Sequence, residues 1–531
     1  MSIKIKALPN HPRAQEIMDL IAKSTALRGE RKHEEALKCM EEAAKIDPGF
    51  FPMLVEKGVI LFELARFEES VECFDRFLKH ISNSQVRGLR ESCLQHALAN
   101  CDRILAERKT NVEVLLKRGD ILQRLNRFDD AVYTYNLVLE IYVNNMVDVL
   151  NSRGNSMLSL DKPEAALESY SRALELSPRN ASLLYNRANV FQQLGRMEEA
   201  IEGYSQAVEL NPGLAEAKME RSHCLLATGD YLRGFKEYES RWETKQLKPV
   251  KLRSSAPLWL GKEDLAGKTI LLWAEQGFGD TIQFLRYVPL VAQISGQTIL
   301  RVPSPLLTLA QTLDCSVSVV ALADALPPHD FNCPLMSLPL AFGTTPESIP
   351  SDVPYLSANV RLIEKWRDEL GPRVRPRIGL VWAGRRREPV NRTRDLGLEV
   401  LRPLTTLDVD VISLQKEIPD MDRSVLDSMR LLYLGEKLTN FEDTAALIEN
   451  LDMVISADSV VAHLAGALGK PVWIMLRRSG EWRWLMERED SPWYPTARIF
   501  RQKNPGDWAG VVLDIVQQLG ALAVQREGAG V

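Results

Sequence analysis

The spacing of apolar and small residues changes character near the middle of the chain. From residue 147 to 214 the sequence superimposes on itself at a shift of 34, with Gly154 falling on Ala188, Ala166 on Ala200, Tyr170 on Tyr204, Ala173 on Ala207 and Pro178 on Pro212. That spacing predicts pairs of antiparallel helices, with small residues where two helices touch, a tyrosine filling the next interface and a proline ending the second helix. Outward, the register continues through Gly119 with Ala131 and Tyr135, Gly58 with Phe74, and Ala36 with Ala43 and Pro48. About six or seven such units fit before residue 243. The stretch from Ser82 to Thr110 is helical in pattern but fits poorly, so an irregular unit is expected there. The last unit, Leu214 to Thr244, keeps Tyr238 in register but has Gly234 in place of the alanine, and is expected to cap the array.

Beyond residue 262 the pattern becomes short apolar strands alternating with helices. Thr269 to Trp273 reads as a strand, followed by the loop AEQGFGD and a helix from Thr281 with Ile282, Leu285 and Val288 on one face. Pro289 falls within that predicted helix and is expected to bend it. A second series starts with IGLVWAG at Ile378 and continues through Val409 to Leu414. It ends in ISADSVVAHLAGALGKPVWIML, Ile455 to Leu476. There an apolar run from Leu451 to Ile455 stops at Asp458 and Ser459, and Val461, Leu464, Ala465 and Leu468 are spaced to face a sheet. Gly469 and Pro471 end the helix, and Val472 to Leu476 restarts a strand, which makes a strand–helix–strand unit in a parallel sheet. Two α/β lobes are therefore expected, over 263–372 and 373–520. Residues 1–244 form the helical array, 245–262 (two prolines and five basic residues) a linker, and 521–531 a tail.

Composition narrows the function. A chain of 531 residues is too long for one core. The net charge of −5 and the absence of a long basic run remove the electrostatic basis for nucleic-acid binding. The first residues, MSIKIKALPN, hold no apolar signal core, and no stretch reaches a membrane span, so a cytoplasmic protein without membrane insertion is expected. The seven cysteines are scattered without a C-x-x-C pair, and read as reduced core thiols. All ten tryptophans lie at or after Trp242, which marks the meeting of two differently built halves.

The chemistry concentrates at two turns. A helix that begins after Ser459 presents unpaired N–H groups and a positive dipole end to the ligand crevice, which suits a diphosphate. Ser459 as a capping hydroxyl and His463 one turn later as a ring donor can reach the same anion. Gly277 and Gly279 let the backbone approach a ligand closely, and Asp280 is either a helix cap or a base. The loop lacks the third glycine of a dinucleotide fingerprint, which argues against a dehydrogenase. Asp408 and Asp410 form a D-x-D without supporting context and read as surface residues. The aromatic stretch from Glu481 to Pro495, with Trp482, Trp484, Arg488, Trp493 and Tyr494, lies at the carboxyl edge of a strand, where it either stacks on a ligand or packs the lobes together.

The 34-residue period resembles tetratricopeptide repeats. G-x-G-D with its late proline, then IGLVWAG, then D-S-x-x-x-H resembles the heptosyltransferase-type glycosyltransferases over roughly Leu265 to Gln518. The whole layout is similar to bacterial repeat-fused transferases related to protein O-linked N-acetylglucosamine transferases, some of which glycosylate flagellin. The resemblance implies an α plus α/β chain: an all-α repeat solenoid, then a GT-B type pair of Rossmann-like lobes, acceptor side first and nucleotide-sugar side second, with no metal and no cofactor beyond the donor. It places Asp280 as general base and Asp458, Ser459, Val460 and His463 at the phosphate turn. Val460 stands where relatives often have glycine. Arg394 lies by the diphosphate, and Gln415 and Lys416 follow a strand where nucleotide contacts occur. The partners implied are a nucleotide sugar and a protein held in the repeat groove. Two other functions remain open: a transferase for a glycan or lipid-linked acceptor, and a non-catalytic repeat scaffold with a degenerate transferase domain.

Overall fold

Helical pairs with left-handed turns between their members fill the first part of the chain. In this computed structural model, which describes residues 13–48, 50–141, 146–384, 396–479 and 481–528, the pairs are Ala14–Gly29 with His33–Ile46, Phe51–Glu63 with Phe67–Leu78, Val112–Arg124 with Phe128–Ile141, Met146–Ser159 with Pro163–Leu176, Ala181–Gln193 with Met197–Leu210, and Ala215–Ala227 with Tyr231–Tyr238. Where the pattern fits poorly, one helix of 24 residues, Ser84–Glu107, stands alone between pairs. Its start is fixed by Asn83, whose side chain accepts from the Gln85 and Val86 amides.

The small residues do the packing expected of them. A methyl group on Gly58, Gly119 or Gly154 would lie 2.6, 2.5 or 2.7 Å from Phe74, Tyr135 or Tyr170. Each aromatic ring thus lies on the glycine of its own helix pair, and Tyr135 also reaches the next pair through a hydrogen bond with Ser152. The tyrosine hydroxyls then reach the residue after the small one: Tyr135 donates to Asp120 at 2.8 Å and Tyr170 to Asn155 at 2.7 Å. Buried hydroxyls require such partners.

The α/β region contains two sheets with only parallel pairings among the described strands. The first has β1 (Thr269–Trp273), β2 (Gln297–Val302), β3 (Ser318–Ala321) and β4 (Phe331–Pro334) in the order β3-β2-β1-β4. The second has β5 (Arg377–Val381), β6 (Asp410–Ser413), β7 (Leu432–Tyr433), β8 (Met453–Ala457), β9 (Val472–Leu476) and β10 (Ala497–Arg501) in the order β10-β9-β8-β5-β6-β7. β5, β8 and β9 are buried along their whole length, as strands covered on both faces must be. The chain is a helical-repeat solenoid followed by an α/β region of the GT-B kind.

The chain divides into compact units at Met1–Leu183 and Leu184–Val531, not at the expected 244/245 boundary. The physical reason is the core of the second unit. Leu226, Tyr231, Phe235 and Tyr238 from the last helix pair share one buried cluster with Ile270 and Leu272 of β1 and with Trp482 and Trp493. The stretch 245–262 is likewise no free spacer, because Trp259 is buried and its amide donates to Asn332 of β4 at 2.8 Å. The expected tail also differs, since the last helix runs from Trp508 to Gly528. Pro289 sits in the first turn of a helix, Val288–Ile294, after a 3-10 turn that ends the preceding helix, so it starts an element instead of bending one.

Candidate active-site cleft

The turn after β8 is built by burial from both sides. The helix Val460–Ala467 is apolar around its circumference and is buried from Val461 onward. Ser459, extended at φ −152°, is its N-cap, and its Oγ accepts from the Val461 amide at 3.2 Å and pairs with the Ser456 hydroxyl at 2.8 Å. Gly466 has no side chain where the Tyr494 ring packs, and a methyl group there would lie 2.4 Å from the ring. That contact brings the Tyr494 hydroxyl to 3.0 Å from His463 Nδ1. The imidazole also stacks on Trp484, with centroids 5.1 Å apart. Burial, reinforced by the charges of Arg483 and Arg286, lowers the His463 pKa from 6.5 to about 3, so the ring is neutral.

The loop after β1 meets this turn head on. Asp280 is the third residue of the helix Phe278–Phe284 and closes a capping box, its Oδ2 accepting the Gly277 amide at 3.0 Å. Its Oδ1 accepts from Arg483 Nη2. A methyl group on Gly279 would lie 2.9 Å from His463 Cδ2 and 3.6 Å from the Val460 Cα. Glycine at 279 is what lets the two helix starts approach, and it leaves room for the valine at 460.

A cleft of about 280 Å³ opens between them, lined by Gln276, Gly279 and Asp280 from the first turn and by Asp458, Ser459, Val460 and His463 from the second. Glu481, Trp482 and Arg483 form a further side. The remaining wall comes from the last repeat pair: Met219 and His223, with Tyr238 behind them. His223 Nδ1 lies 3.4 Å from Glu220 Oε2.

Several expected residues lie elsewhere. Gln415 does not line the cleft. It is buried, its Oε1 accepts from the Trp382 and Ala383 amides at 3.3 and 3.1 Å, and its Nε2 donates to the Ala383 and Glu417 carbonyls. Lys416 does not line it either, and donates to the Thr439 carbonyl at 3.2 Å. Gly277 is used in the capping box. Trp484 supports the cleft from behind, with Nε1 donating to Asp458 Oδ1 at 3.0 Å. Arg394 lies outside the described residues. Asp408 and Asp410 are in surface ion pairs with Arg375, joined at Asp410 by Arg430.

Arg483 and Glu481 line the cleft as well, and nothing in the spacing of the aromatic stretch distinguishes them from Arg488 and Glu487. The repeat residues Met219 and His223 were not foreseen, because a solenoid pattern does not say which of its residues line a cleft.

Buried charge also ties the last repeat to the loop that carries Asp280. Arg241, fully buried, donates to Glu239 at 2.6 Å, to Glu275 at 3.1 Å and to Ser337 at 2.7 Å. Burial raises the carboxyl of Glu275, and Arg241 opposes that. Trp493 Nε1 donates to Tyr231 OH at 3.1 Å. Trp493 therefore packs parts of the protein together and does not serve a ligand.

Residues 428–505 match the model for glycosyltransferase family 9 (heptosyltransferase). Residues 113–145 and 181–214 match the tetratricopeptide repeat, and 154–195 match a TPR repeat model. The chain is similar to Protein FlbA of Caulobacter vibrioides, 25% identical over 323 residues, covering 55% of this chain and 53% of the other. It thus spans about half the length of that curated relative. Similar solved structures include MamA, at 20% identity over 32% of this chain and 98% of that one with a TM-score of 0.28. Another is a tetratricopeptide repeat protein from Parabacteroides merdae, at 17% identity over 45% and 96% with a TM-score of 0.27. The chain is a fusion of tetratricopeptide repeats with a glycosyltransferase family 9 segment.

Proposed function

We propose that the protein transfers a sugar from a nucleotide-sugar donor to a hydroxyl of a protein acceptor, without a metal ion. The observation that carries this reading is the composition of the cleft wall: Met219 and His223 of a repeat helix face the same space as Asp280 and the Ser459–His463 turn. A small glycan acceptor gives no reason for a repeat helix to close the site, whereas a polypeptide guided along repeats arrives there. Flagellin is one acceptor that the resemblance brings forward, and the reaction would run in the cytoplasm, where nucleotide sugars are made.

In this reading the diphosphate lies at the N-terminus of Val460–Ala467, where the Ser459 hydroxyl and the positive end of the helix face it. A neutral His463 with Nδ1 accepting from Tyr494 keeps its Nε2–H for the same anion. Asp280 takes the proton of the acceptor hydroxyl as its oxygen bonds to the anomeric carbon. The carbon–phosphate-oxygen bond breaks with its electron pair leaving on the diphosphate.

Calorimetric titration with UDP, GDP, CMP and ADP and their common sugar conjugates tests the donor side. Saturable binding of one nucleotide, weakened in Ser459→Ala/His463→Ala, is expected; no binding at millimolar concentration would return the protein to the class of scaffolds. Once a donor is found, transfer in the presence of EDTA is expected to match transfer in its absence. Asp280→Ala should slow transfer by about 10²–10⁴-fold.

A further inference from the structure

Arg483 is the one permanently charged cation among the described residues that line the cleft, and three carboxylates, Asp280, Asp458 and Glu481, line it too. Its side chain is 9% exposed and lies over the Trp482 ring at 4.3 Å. Nη1 donates to Glu481 Oε2 at 2.6 Å and Nη2 donates to Asp280 Oδ1. Nε is buried and has no partner. Arg187, Arg241 and Arg301 also bury an Nε without a partner, and of these four Arg483 lines the cleft, where a bound oxyanion would supply an acceptor. The Nε and Nη2 edge of a guanidinium is the fork that grips a phosphate with two parallel hydrogen bonds, and here one tine is unused while the other holds Asp280.

The two uses of that edge compete for one orientation of the guanidinium. Asp280 Oδ2 accepts from the Gly277 amide and Oδ1 from Arg483, so an acceptor hydroxyl has to compete with the guanidinium for Oδ1. We propose that Arg483 is a latch worked by the donor: in the empty cleft it holds Asp280, and on donor binding its Nε and Nη2 turn to the diphosphate, which releases Asp280 Oδ1 for the acceptor. Glu481 keeps Nη1 throughout and serves as the pivot. Arg483 then has two tasks, carrying the charge of the leaving diphosphate and preventing the base from acting before a donor is present. The donor therefore binds before the acceptor is activated. This inference rests on the proposed transferase reading.

The test compares a nucleoside diphosphate with its nucleoside, by calorimetry on the full chain, using UDP with uridine, GDP with guanosine and ADP with adenosine. For the pair that wild type binds, Arg483→Gln is expected to weaken the diphosphate by about 10- to 100-fold, the loss of a charge-assisted fork, and to leave the nucleoside within about threefold. Asp280→Asn keeps the helix cap but no longer competes for the guanidinium, so it should bind the diphosphate more tightly than wild type and the nucleoside equally. That gain cannot come from a damaged fold. Diphosphate affinity that survives Arg483→Gln, or falls in Asp280→Asn, overturns the latch while leaving the transferase reading in place. A wild type that binds no nucleotide overturns both.

Discussion

Arg241 shows how much a single side chain holds in this protein. Its guanidinium is fully buried and joins Glu239 at the end of the repeats to Glu275 and Ser337 of the α/β region. Removing one partner of a buried ion pair leaves the other charge uncompensated. Arg241→Met is therefore expected to cost about 3–5 kcal/mol in urea unfolding. An unchanged midpoint would show that Glu275 carries no charge in the fold. His463 gives a pH dependence. Its folded pKa of about 3 lies below its ordinary 6.5, so between those values the unfolded chain binds a proton that the folded chain refuses. The stability it contributes is complete above 6.5 and is lost as pH falls through that window, on the order of 2 kcal/mol by pH 5. The urea midpoint of wild type should drop more steeply between pH 7 and 5 than that of His463→Asn, and parallel curves would contradict the burial of a neutral ring. Asp280, Ser459 and His463 were legible in the sequence because cap, turn and helix spacing are local. Gln415 and Lys416 were misplaced because the end of a strand does not reveal which way the next side chains turn, and Gln415 is needed to satisfy two buried amides.

Among the elements, the turns inside the helix pairs follow a backbone rule. Arg31, Ala65, Asn126, Asp161, Gly195 and Gly229 all have positive φ, between 55° and 90°. Only two of the six are glycine, and left-handed backbone costs other residues about 1–2 kcal/mol. Ala65→Gly and Asp161→Gly are expected to stabilise the repeats, by about 0.5–1 kcal/mol each after the glycine's greater freedom in the unfolded chain is subtracted. Thermal unfolding reads this directly, and a lowered midpoint would mean the turns are set by side-chain contacts instead. The gap from Ala65 to Asn126 is where the helix Ser84–Glu107 replaces a pair, and so the period that was easiest to read also exposed its own irregularity. The strand–helix–strand segment from β8 to β9 was legible to within two residues, because its apolar runs are bounded by Asp458, Gly469 and Pro471. Across the cleft, Gly279→Ala should force the Phe278 and Val460 helices apart and weaken nucleotide binding at least about tenfold, since the methyl group meets the His463 ring and the Val460 backbone.

At the scale of the whole chain, the repeats do not end where the transferase begins. The second unit starts at Leu184 and includes the last two helix pairs apart from the first residues of Ala181–Gln193. Sequence placed the boundary at 244 because composition changes there, while burial follows Leu226, Tyr231, Phe235 and Tyr238 into the α/β core. A chain that begins at Ala181 is therefore expected to fold and bind nucleotide within about threefold of the full chain, keeping Met219, His223 and Arg241. One that begins at Lys245 should aggregate, having exposed that shared core. The acceptor side is where the full length matters. The most direct measurement incubates full chain, the Ala181 form and Asp280→Asn with labelled donor and soluble cell protein, and follows label in protein and free nucleotide released. Label transferred to protein by the full chain, nucleotide release with little protein labelling by the Ala181 form, and neither by Asp280→Asn is the expected result. A full chain that binds donor yet labels no protein, or an Ala181 form that labels as well as the full chain, would contradict delivery of a protein acceptor by the repeats.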